Sequence, residues 1–172
     1  LTPTDISVIG PLARSAEDLE CALRLMAGPD LLESFGLRVE LPELREPVSA
    51  LRVAVWKTDP MCPSSRDVAA RVDAVASALA AQGARVDEAA RPAFDAQHSH
   101  ETFSALLSAA MAARLPDADF ADAVRRAESA GPDDRSAATT QARWQTLRVR
   151  DWSRLNEART KIRWAWQRFF QQ

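Results

Sequence analysis

The chain has no tyrosine, only five glycines and only two cysteines. So few glycines argue against a loop-rich, turn-dense all-β architecture, and the abundance of alanine favours helix. Cys21 and Cys62 are too few for a disulfide framework or a cysteine-based zinc site. They read as free thiols of a reducing, cytoplasmic compartment. No run of about 18 apolar residues is present, so no segment reads as a transmembrane helix, and no basic-then-apolar leader opens the sequence. The formal net charge of −2 is too small to draw in nucleic acid or an anionic membrane. A Gly-rich phosphate loop is also missing.

What remains is a chain of 172 residues, 47% hydrophobic and 27% charged, suited to a soluble core-forming protein. Leu1 to Arg14 reads as irregular, with a short extended piece at Ile6 to Ile9. Ser15 is placed to cap a helix, with Asp18 closing a variant capping box. Leu19, Ala22, Leu23 and Met26 then recur at helical spacing. Gly28 sits where a left-handed residue ends a helix, and Pro29 blocks continuation. Leu31 to Ala50, with Pro42 and Pro47, is a surface connection.

"LRVAVW" (Leu51 to Trp56) is a valine-rich run that suits a strand buried on both faces. Val68, Val72, Val75 and Leu79 mark one face of the helix that follows, and Gly83 caps it. "ARVDEA" (Ala84 to Ala89) is a second strand, completing a βαβ unit with an expected right-handed crossover. Past Pro92 the pattern is helical. Phe103, Leu106, Leu107, Ala110 and Met111 line one helix. Asp117 caps another, with Phe120, Val124 and Ala127 facing inward. From about Asp134 to the end there is no glycine and no proline, which predicts one helix of roughly 35 residues, about 50 Å long. Its stripe is Trp144, Leu147, Leu155, Ile162, Trp166 and Phe169, with Trp152 and Phe170 beside it.

Four features invite a chemical reading. In "HSHE", His98 and His100 lie two apart, about 200° around a helix, so they cannot converge with Glu101 on one metal. Cys62 falls past the carboxyl end of a predicted strand, where α/β proteins place ligands. Its thiol has no base within reach of the sequence pattern, so it reads as loop or pocket wall. From Arg143 to Gln172 there are eight basic and two acidic residues, a local balance of +6. Arg143, Arg148, Arg150, Arg154, Arg159, Arg163 and Arg168 are spread around the helix, which reads as a solvated face. Arg14 precedes a helix N-terminus, where the dipole disfavours a cation unless Glu17, Asp18 or another acid compensates.

"DISVIGPLARSAEDLECALRLMAGPD" resembles the segment that follows the catalytic core of amidase-signature enzymes. Gly10, Pro11, Leu12, Ala13, Arg14, Ser15, Asp18, Leu19, Ala27, Gly28 and Asp30 match that pattern in order. "LRVAV" (Leu51 to Val55) and "GARV" (Gly83 to Val86) resemble the family's next strand and the one after its helix. "RTKIRWAWQRFF" (Arg159 to Phe170) resembles a later long helix. The resemblance implies amide hydrolysis by a Ser–cis-Ser–Lys triad, with a Gly-rich backbone loop as oxyanion hole. It implies an α/β class: a partial amidase-signature α/β/α fold, predominantly helical, with a βαβ unit and a long final helix.

The family's Gly/Ser-rich signature belongs ahead of Gly10 and has no match here. "PSS" (Pro63 to Ser65) lacks its glycines and reads as a helix cap. Lys57 and Lys161 fall in the wrong places for the catalytic lysine. The expectations are therefore one incomplete domain over residues 1–172, cut at both ends, with the triad upstream of residue 1 and no activity alone. No catalytic, cofactor-binding or metal residue is assigned, and no cofactor is expected. The expected partner is a small-molecule amide in the full-length enzyme, with neither nucleic acid nor membrane, and with a homodimer or the missing half packed alongside. The alternative is a non-catalytic helical binding module using the basic final helix.

Overall fold

The structure, a computed structural model, describes residue 6, residues 8–41, residue 43 and residues 46–172. Leu1 to Asp5, Ser7, Pro42, Leu44 and Arg45, parts of the expected irregular lead, extended piece and connection, lie outside the described residues. The chain divides into two compact units, one within Ser7–Pro47 and one built on Val48–Gln172.

The smaller unit is organised by helix α1, Ala16–Met26. Ser15 starts it as expected: its side chain accepts a hydrogen bond from the Asp18 amide at 3.1 Å. Glu17 and Asp18 place acid in the first turn, and Arg24 in the last turn bonds Glu20 one turn back. The helix ends differently from the sequence reading. Gly28 does not take positive φ. Ala27 turns extended instead (φ −72°, ψ 116°), and Pro29 restricts the residue before it to extended conformations. Asp30 then accepts from the amides of Leu32 and Glu33, starting a short 3₁₀ turn at Glu33–Phe35. α1 buries no residue: Leu19, Leu23 and Met26 of its apolar stripe are each exposed, as is Cys21.

The larger unit opens with the βαβ element. Strand β1 is Arg52–Ala54, helix α2 is Arg66–Ala81 and strand β2 is Arg85–Asp87. The strands pair in parallel, with Arg52 opposite Arg85, Val53 opposite Val86 and Ala54 opposite Asp87. Ser65 caps α2 through the Val68 amide. At the other end Gly83 has φ +92°, and the Ala84 and Gly83 amides reach back to the Leu79 and Ala80 carbonyls. That double closure is a Schellman motif, which needs a left-handed residue and so favours glycine. The expectation of a strand buried on both faces fails. β1 alternates exposed, half-buried, exposed, and Val55 just beyond it is the first buried position. One neighbouring strand covers too little of either face.

Four helices complete the unit: α3 (Ala96–Ala112), α4 (Asp117–Ser129), α5 (Ala137–Gln145) and α6 (Val149–Phe170). α3 packs against α5 and α6, and α4 packs against α5. Their buried positions are mostly small: Ala105, Ala112, Ala123, Ala142 and Ala165, with Leu106 the one large apolar side chain wholly enclosed among the described residues. Small side chains at the crossings let helix axes approach closely. The buried face of α3 is rotated from the expected stripe. Thr102, Ala105, Leu106, Ser108 and Ala112 point inward, whereas Phe103 and Met111 are 50% and 62% exposed. Asp117 lies inside the first turn of α4 rather than capping it, and Pro116 holds the cap position.

The single final helix is in fact two. Thr146 leaves helical geometry (φ −113°, ψ 28°), and Arg148 is extended (φ −71°, ψ 150°). Thr146 Oγ1 donates to the Ala142 carbonyl, and the Asp151 and Trp152 amides bond the Arg148 carbonyl to begin again. α6 remains a long helix of 22 residues, roughly 33 Å.

The turn from α4 into α5 is organised by Asp134. Its carboxylate accepts from the Ser136 amide at 2.8 Å and from Thr139 Oγ1 at 2.7 Å, while Arg143 donates to the carbonyls of Asp134 and Gly131. The backbone bond from Ser136, then the Thr139 hydroxyl, lowers the Asp134 pKa to about 2. A carboxylate depressed in the folded state adds stability above its unfolded pKa and loses it as pH falls through the folded value. Stability measured against pH is therefore expected to drop between about pH 4 and pH 2, and Asp134→Asn to flatten that segment. Equal slopes in the two proteins would show that Asp134 does not hold the turn.

Thr102 Oγ1 is buried beside Leu106 on α3 and has no hydrogen-bond partner among the described residues. A buried hydroxyl without a partner costs stability that an apolar isostere recovers. Thr102→Val is expected to stabilise the protein by about 1 kcal/mol, raising the thermal midpoint by a few degrees. A lowered midpoint would mean that the hydroxyl is satisfied.

Candidate functional site

The carboxyl ends of β1 and β2 carry the densest polar arrangement among the described residues. Lys57, two residues past Val55, donates from Nζ to Asp73 Oδ1 at 2.7 Å and to Glu88 Oε2 at 3.2 Å. Asp73 comes from α2 and Glu88 from the exit of β2, so one ammonium joins the crossover helix to both strand ends. The hydrogen bond to Asp73, then that to Glu88, raises the Lys57 pKa. The amine is held charged, with two of its three hydrogens directed at carboxylates.

Arg91 completes the arrangement. Its Nη1 donates to the carbonyls of Val55, Glu88 and Ala90, and its guanidinium lies 5.2 Å from the Trp56 ring centroid. Asp87 accepts from the amides of Ala89 and Ala90, turning the chain out of β2. Together these bonds fasten the strand ends rather than present a reactive group. Asp73, Glu88 and Arg91 carry no mark in the sequence. They lie 16, 31 and 34 positions from Lys57, and no local periodicity links residues so far apart.

The residues singled out from the sequence are scattered. Cys62 is an exposed free thiol in the loop before α2, its amide bonded to the Asp59 carbonyl. His98 and His100 both lie on α3, as the helical reading requires; the His98 amide is capped by Asp95, and Glu101 accepts from Gln97. Among the described residues no three His, Cys, Asp or Glu side chains gather as a metal set. Ser65 is a helix cap, as expected for "PSS". Lys161 pairs with Glu157 one turn away. Arg14 is exposed ahead of α1, and on α6 Arg150, Arg154, Arg163 and Arg168 are exposed, Arg154 4.0 Å from Asp151. No helix among the described residues is long and apolar enough to cross a membrane.

Two grooves flank the sheet. On one side Val53 and Val55 face Val68, Val72, Val75 and Leu79 of α2 across an apolar groove of about 550 Å³. Val68 and Val75 are 53% and 60% exposed, so the predicted helical stripe exists but lacks a covering layer within this unit. On the other side a groove of about 590 Å³ runs between the strands and the end of α6. There Trp166 forms the hub of an aromatic cluster with Trp56, Phe94, Phe169 and Phe170, at centroid distances of 6.3, 5.6, 5.8 and 5.6 Å.

A family model described as Amidase matches residues 2–172 of the chain. No curated protein and no solved structure matches it.

Proposed function

This chain belongs to the amidase family, and from that premise we propose that residues 1–172 form a non-catalytic part of an enzyme that hydrolyses the carbon–nitrogen bond of small-molecule amides. The triad serines and lysine are carried outside these residues, ahead of the Gly10–Asp30 block in the family's order. Alone, residues 1–172 do not turn over amides.

The observation that carries this reading is the state of Lys57. A lysine that activates serine must give up its proton near neutral pH, which requires a lowered pKa. Lys57 is shifted the opposite way by Asp73 and Glu88, and Lys161 is exposed beside Glu157. Each ammonium is engaged by carboxylates, Lys57 by Asp73 and Glu88 and Lys161 by Glu157, which is not the arrangement of a base poised on a serine. The half-exposed valines of α2 support the same reading, since a face of that size is covered by other parts of a complete α/β/α layer or by a second copy. The partner on this reading is a small amide, not nucleic acid or membrane. The exposed free thiols Cys21 and Cys62 fit a reducing, cytoplasmic setting.

The test compares residues 1–172 with a version extended through the Gly/Ser-rich segment, against aliphatic amides, aryl amides and carbamates. Turnover is expected from the extended protein alone. Equal turnover by the shorter chain would refute the proposal.

A further inference from the structure

We draw no further inference here: the strongest candidate, the apolar groove in which Val53 of β1 faces Val68, Val72 and Val75 of α2, is an unpartnered apolar face, and nothing in the structure shows what covers it.

Discussion

Leu106→Ala is expected to destabilise the larger unit by about 3 kcal/mol, the size typical of a fully enclosed leucine removed from a core. Leu106 has no exposed surface, and the other buried positions of α3, α4 and α5 are alanine, serine and threonine. Short side chains cannot reach into the space that is left, so the cavity term should be near its full value. In urea the midpoint should fall by about 1–3 M for a protein of this size. Met111 provides the contrast. It belongs to the same apolar pattern in the sequence but is 62% exposed, so Met111→Ala should stay within about 0.5 kcal/mol. If the two substitutions cost the same, the rotated face of α3 is wrong.

Trp166→Ala is the second large effect, expected at about 2–3 kcal/mol, somewhat below a fully buried aromatic because Trp166 is half-buried. The indole contacts four rings, from β1's exit, from the segment before α3 and from α6 itself. Its loss therefore detaches α6 from the sheet as well as removing apolar area. The thermal midpoint should fall by roughly 10 °C, and the near-ultraviolet dichroism of the cluster should largely vanish. Trp164, two residues earlier, is 59% exposed. Trp164→Ala should leave both signals nearly intact, and matching losses from the two tryptophans would contradict the cluster.

Local chemistry makes much of this fold legible. Ser15 and Ser65 cap helices because their side chains satisfy amides three residues on, a relation contained within four letters of sequence. Gly83 takes positive φ where the strand must follow the helix at once. The parallel pairing of the two strands follows from apolar runs joined by one helical stripe. The failures arise where distant packing decides. Nothing between Asp134 and Gln172 forbids a continuous helix, yet the chain bends at Thr146 so that α5 meets α3 and α4 while α6 runs along α3. Gly28 has the position of a left-handed cap, and its neighbour Pro29 overrides it. On α3 the pattern marks large residues, whereas the tight crossings select small ones.

The polar site is the least legible part. In the sequence Lys57 is visible only as a lysine in the wrong place for catalysis. Its engagement by Asp73 and Glu88 needs the crossover of α2 and the exit of β2 to bring three distant positions within 3.2 Å. Arg91 gives no signal in sequence, because its partners are backbone carbonyls, which every residue supplies.

Covalent labelling tests the central claim, that residues 1–172 contain no activated nucleophile, most directly. A fluorophosphonate forms a stable adduct with a serine whose hydroxyl is deprotonated by a working base. Incubated with the 172-residue chain and read by intact mass, it should leave the protein unmodified over the time that labels the extended enzyme to one equivalent. A stoichiometric adduct on any serine of residues 1–172, abolished by prior denaturation, would contradict the account.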